Sequence, residues 1–225
     1  RIHLIPSPAC LPIQNQGMVE CPHMGTLADT REWFPILSAL LQAKTLRQFD
    51  ERLQQELSRR LGCDVIGLYL YSEAAAAFSP VSESLRDPAS PAYPIAQLPA
   101  AGTIKEAAVH AGQAILTGDL SASPWTEAHA LAPHICRATS VLVSPITMPL
   151  DPVTGATAKT LAVITAVAPG IPEAFSDEDR IFLDLLSRHI APVLTAVLAA
   201  EERDTLVAIN NQVVLGTLTL DNLIH

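Results

Sequence analysis

SVLVSPITM (Ser140–Met148), KTLAVITAV (Lys159–Val167) and AFSDEDRIFLDLLSRHIAPVL (Ala174–Leu194) follow one another in the last third of the chain. The first two are β-branched apolar runs separated by a turn rich in Pro, Gly and Thr, and they read as successive strands. Pro145 inside the first implies an edge position or a bulge, because proline donates nothing to a ladder. The third opens on Ser176 with Asp179 as its capping partner, and Phe182, Leu185, Leu186, Val193 and Val197 form the apolar stripe of a long helix. Pro192 removes the donor to the Arg188 carbonyl and is expected to kink that helix. His189 falls within the stripe and reads as a hydrogen-bonded core or interface histidine. Past Glu201 the helix is expected to run to about Leu215, where Gly216 interrupts it.

Upstream, Thr45 with Gln48 and Thr103 with Glu106 are two further capping boxes. The first opens a helix with Leu46, Phe49, Leu53, Leu57 and Leu61 on its packing side. Asp50, Glu51, Arg52 and the other polar residues fall on the wet side. A shorter helix precedes it, with Pro35 in its first turn and Ile36, Leu37, Leu40 and Leu41 as its apolar face. Gly62 closes the capped helix, and CDVIGLYLY (Cys63–Tyr71) follows as a strand apolar on both faces, hence central. EAAAAFSPVSE is a weaker second strand. Residues 84–101 are a proline-rich loop with a short strand at Tyr93–Leu98, TIKEAAVHA is a short helix stopped by Gly112, and QAILTGDL is a brief strand. Residues 1–28 carry Pro6, Pro8, Pro12, Pro22, Gly17 and Gly25 and read as an extended arm. Residues 29–200 form one domain and 201–225 a helical linker.

With 225 residues, 49% of them apolar, the chain can bury a sizeable core. Its formal net charge of −9, without a cluster of Lys or Arg, argues against a nucleic-acid or anionic-membrane surface. The longest uncharged helical stretch, His189 to Ala200, falls short of the roughly 20 residues that span a bilayer. The four cysteines make no disulfide framework and the N-terminus no secretory signal, so a cytoplasmic setting is expected.

LGCDVIGLYLYSE, AVHAGQAILTGDL (Ala108–Leu120) and ICRATSVLVSPI, in this order and ahead of the capped final helix, resemble the phrases of GAF domains. The resemblance covers about Pro35 to Ala200. It implies an α+β fold: a central antiparallel sheet with the N- and C-terminal helices on one face and a ligand lid on the other. It also implies a sensory role in a bacterial signalling protein, such as an enhancer-binding transcription activator or a histidine kinase. A small ligand or redox cofactor would order the lid, Pro88 to Arg137, and a dimeric C-terminal helix would pass the state to an effector. The alternatives are a ligand-free dimerisation module and, less favoured, a thiol-dependent methionine sulfoxide reductase built on Cys136.

The lid holds Tyr93, Trp125, His129, His134 and Cys136, the candidate ligand-binding residues. Aromatic rings close apolar pockets, and imidazole and thiolate suit zinc, iron or redox chemistry. The same residues also suit an ordinary loop. Cys136 is followed by Arg137 where bilin-attaching relatives carry histidine, which argues against a tetrapyrrole. Phe49–Glu51 resembles the end of a cyclic-nucleotide signature but reads as solvated charge on a helix. Cys10, Cys21 and His23 in the arm are candidate metal or iron–sulfur ligands, with Cys63 or His3 needed to complete a set, and equally read as free thiols. No cofactor can be named from the residues. No GxGxxG, Walker loop, HExxH, GxSxG or kinase phrase occurs, so no catalysis is expected.

Overall fold

The computed structural model describes residues 29–63, 65–81, 97–125, 138–148 and 158–224. Two helices come first, α1 (Asp29–Leu40) and α2 (Leu46–Leu61). Thr45 caps α2 by accepting from the Gln48 N–H at 3.2 Å, and Gln48 reaches back to accept from the Lys44 N–H at 3.0 Å. Gly62 ends the helix in the left-handed conformation, φ 63°, and donates its N–H to the Ser58 carbonyl.

Among the described residues six strands follow: β1 (Val65–Ser72), β2 (Ala77–Pro80), β3 (Leu98–Pro99), β4 (Ile115–Thr117), β5 (Ala138–Met148) and β6 (Lys159–Pro169). A short helix, α3 (Ile104–Ala111), precedes β4, and a single long helix, α4 (Asp177–Ile224), follows β6. The strands form one sheet in the order β3-β2-β1-β6-β5-β4, and every neighbouring pair is antiparallel. The α+β architecture expected from the sequence is the one observed, with β1 central between β2 and β6.

Alternation along the strands divides the core in two. Ile66 and Leu68 of β1, Leu142 and Ile146 of β5, and Ala162, Ile164, Ala166 and Ala168 of β6 face the terminal helices. Against them pack Ile36 and Leu40 of α1, Phe49, Leu53, Leu57 and Leu61 of α2, and Phe182, Leu183, Leu186, Ile190, Leu194 and Val197 of α4. The small alanines of β6 let the helix layer approach closely, and Ser144 donates its hydroxyl to the Leu183 carbonyl at 3.5 Å. The helices are also tied to one another. Arg60 of α2 pairs with Asp179 of α4 at 3.1 Å and lies over the Phe182 ring at 4.7 Å. The Leu46 N–H, at the start of α2, donates to Glu201 of α4 at 2.7 Å.

Several sequence expectations are corrected here. α1 begins at Asp29, so Pro35 lies inside it rather than in its first turn. Pro35 is exposed, and the burial of Ile36 and Leu40 beside it holds the helix despite one missing donor. Asp50 is 1% exposed, not solvated, because it falls one position beyond Phe49 on the packing side of α2. The stripe of α4 runs through Leu183, Ile190 and Leu194, with Leu185 and Val193 only half-buried. His189 therefore stands on the exposed flank, stacked on Trp33 at 4.5 Å, its Nδ1 within 2.7 Å of the Leu185 carbonyl oxygen. α4 also continues through Pro192 and past Gly216 to Ile224. Pro145 pairs with Val163 of β6, but β4 covers β5 only from Val141 to Val143, so proline sits where that flank of the ladder has already ended.

The segment Asp177–Asn210 of α4 is long and apolar enough to cross a membrane by length and composition, with a mean hydropathy of 1.6 over its most apolar window. Part of that apolarity is used inside the fold, where the stripe of α4 closes the helix-side core.

Candidate ligand-binding site

The opposite face of the sheet carries a second, smaller core. Tyr69 of β1, Phe78 of β2, Val141 and Val143 of β5, and Val163 and Val167 of β6 line it, and Ile104 and Ala108 of α3 cover it together with Ala100 and Leu120. The antiparallel register sets its rows: Gly67 lies opposite Thr165, which lies opposite Val143, while Tyr69 lies opposite Val163. The middle of this face therefore has a glycine beside a hydroxyl, flanked by valines. Glycine inside a strand leaves room for close approach of other groups.

Two buried polar groups stand out against this apolar lining. Lys105, in the first turn of α3, is 3% exposed, and its Nζ lies over the Tyr69 ring at 4.4 Å from the centroid. Burial lowers its pKa to about 8. The Thr103 hydroxyl fixes that turn by accepting from the Glu106 N–H at 2.9 Å, and Glu106 accepts from the Gly102 N–H at 2.8 Å. A cation here opposes the helix dipole as well as the cost of burial. Thr165 is 2% exposed, and its hydroxyl has no hydrogen-bond partner among the described residues. Burial, and secondarily the charge of Asp50, push the Tyr69 phenol well above its ordinary range.

No protein-family model and no curated protein matches the sequence. Solved structures match it in shape. The GAF domain of a phosphoenolpyruvate-protein phosphotransferase from Acinetobacter superposes with a TM-score of 0.59 over 78% of this chain and 98% of that one, at 15% identity. The GAF domain of the corresponding protein from Coxiella burnetii gives 0.58 over 77% and 96%, also at 15% identity. The chain has the GAF fold. A free methionine-R-sulfoxide reductase from Neisseria meningitidis, solved with its substrate, shares the fold at a TM-score of 0.55 over 73% and 87%, at 17% identity. Such likeness speaks to fold alone, so function has to be argued from the site.

Of the candidate ligand-binding residues, Trp125 alone is among those described. It is half-buried against the α3-side core, and its backbone N–H donates to the Ser123 hydroxyl at 3.4 Å. Tyr93, His129, His134 and Cys136 lie outside the described residues, as do Cys10, Cys21, His23 and His3. Cys63 is buried in the helix-side core. Among the described residues no three His, Cys, Asp or Glu side chains gather to hold a metal. The sequence reading missed Lys105, Tyr69 and Thr165. The available signal was a lysine beside the Ile104 and Ala108 stripe in the first turn of a capped helix, where a cation is disfavoured.

Proposed function

We propose that this chain is a cytoplasmic sensory domain that binds a small ligand on the α3 face of its sheet and passes the bound state through α4, as a homodimer, to an effector such as a transcription activator or a histidine kinase. The observation that carries the reading is the α3-side core, facing away from α1, α2 and α4, where the Thr165 hydroxyl is buried among valines with no hydrogen-bond partner among the described residues. A face built only for stability would be apolar throughout, because buried polar groups cost free energy unless satisfied. The length of α4, which runs to Ile224, supports a role as the output element.

Native mass spectrometry of the purified chain, with denaturing extraction beside it, tests the proposal. A stoichiometric small molecule is expected, and Trp125→Ala is expected to reduce its retention with little change in melting. A fully buried structural tryptophan would instead cost about 3–5 kcal/mol on truncation. A large melting loss with unchanged retention would place Trp125 outside the site.

The likeness to the Neisseria enzyme favours a second reading, reduction of free methionine sulfoxide by Cys136. That chemistry requires another thiol to regenerate the first. We expect no such activity, and turnover by the wild-type chain that is lost in Cys136→Ser would replace the sensory reading with the enzymatic one.

A further inference from the structure

We infer that two copies of this chain pair antiparallel, the part of α4 past Arg203 in one copy lying along the groove beside Leu41 in the other, so that each domain is covered by its partner's output helix. The inference rests on the homodimer reading above and supplies the direction and contact surface that the reading leaves open.

α4 continues past the end of α1. Between its flank and the turn after α1 lies a groove of about 530 Å³, with Leu41, Val193, Ala196 and Ala200 among its apolar walls and Arg203 and Asp204 at its end. Small side chains at a helix contact let a second helix come close, and two of these four are alanines.

The chain itself carries what would fill the groove. Among the described residues seven large apolar side chains are exposed, and five of them fall on two faces. Phe34 and Leu41 stand seven residues apart on the outer side of α1 and its last turn, and Leu206, Val207 and Ile209 stand on α4. Val193, Ala200, Val207 and Val214 recur every seven residues, and no charged residue occurs from Thr205 to Leu220. A seven-residue apolar repeat keeps one seam of a helix against a partner helix. A surface that offers both a groove of small residues and a bulkier extension is complementary to itself across a two-fold axis.

Charge selects the direction. Arg203 and Asp204 interrupt the seam between Ala200 and Val207, their side chains 74% and 79% exposed and 3.8 Å apart, too far for a hydrogen bond. In a parallel pair in register, Arg203 would face the partner's Arg203 and Asp204 the partner's Asp204. A two-fold axis crossing the helices between residues 203 and 204 instead sets each Arg203 against the partner's Asp204, Val207 against the partner's Ala200, and position 214 against the partner's Val193. Residues 204–224 of α4 span about 32 Å, enough to continue past Leu41 toward Phe34. The partner helix then lies beside Glu201, which holds the Leu46 N–H at the start of α2, so the state of one domain reaches the output helix of the other.

The test uses the full chain carrying the photoreactive residue benzoylphenylalanine in place of Asn210, with unlabelled and isotope-labelled copies mixed so that links between copies are told from links within one. Links between copies are expected from position 210 to residues 37–44 or 193–200. Arg203→Ala, at an exposed position where folding is not at stake, should weaken the dimer several-fold in sedimentation, whereas a parallel pair would tighten on losing the repulsion between arginines.

Links between copies confined to residues 203–217, no links between copies in a chain that sediments as a dimer, or a tighter Arg203→Ala dimer would each overturn the inference and leave the homodimer in place. A full-length monomer at tens of micromolar would overturn both. A chain that stays monomeric and sediments with phosphatidylcholine vesicles would assign the α4 extension to a membrane surface instead.

Discussion

Asp50 and Lys105 carry their charges at a cost, and the pH dependence of stability should report both. Burial raises the Asp50 carboxyl from 3.8 to about 6, although Gln54 donates to its Oδ2 at 2.9 Å, and its Oδ1 has no partner among the described residues. Between pH 4 and 6 the folded chain therefore holds a proton that the unfolded chain has lost, and stability falls as pH rises through that window. Asp50→Asn should flatten the fall and gain on the order of 1–2 kcal/mol at pH 7, read from urea midpoints. Lys105 has the opposite sign. Its folded pKa lies near 8, against 10.5 when unfolded, so the unfolded chain holds the extra proton and stability rises with pH above 8. The rise should reach about 2 kcal/mol by pH 10, where ionisation of the Tyr69 phenol in the unfolded chain reverses it. A Lys105→Met variant that retained the same upward slope would show that another group titrates there. Neither charge could be placed from sequence, because Asp50 borders a polar face and Lys105 sits in a helix whose partner strands are remote in the chain.

Among the elements, α4 reaches α1, α2, β4, β5 and β6. Glu201 accepts from the Leu46 N–H, one of the first N–H groups of α2 that lack a partner within their own helix. Asp184 accepts from the Ala114 N–H at 2.8 Å, next to β4, and pairs with Arg188 at 2.8 Å. Glu201→Ala should cost about 1 kcal/mol and speed amide exchange at Leu46, whereas Glu201→Gln, which keeps an acceptor, should lose less. Unchanged exchange in both variants would show that water replaces the carboxylate at no cost. The caps themselves were legible from the sequence. Ser176 and Asp179 bond reciprocally, the Asp179 N–H to Ser176 Oγ at 3.2 Å and the Ser176 N–H to Asp179 Oδ2 at 2.9 Å, and this arrangement depends only on residues three apart. The length of α4 was less legible, since glycine weakens a helix by an amount that its context can offset.

At the scale of the molecule, α4 leaves the fold with Leu206, Val207 and Ile209 each more than half exposed, a pattern that suits a helix joined to a second copy. Sedimentation of the full chain at tens of micromolar should show a dimer, and removal of residues 201–225 should weaken it by about tenfold or more. A full-length monomer at that concentration would remove the dimeric output from the proposed mechanism. The strands, the capped helices and the central position of β1 follow from period, composition and capping, which act over a few neighbouring residues and are therefore written in the sequence. Which side of the sheet receives a lysine, a tyrosine and a buried threonine was decided only by tertiary structure. Lys105, Tyr69 and Thr165 lie on three separate elements, and the antiparallel register of β1 with β6 and the docking of α3 over the sheet place them on one face. No local pattern encodes that register, because it comes from long-range packing of both sheet faces at once.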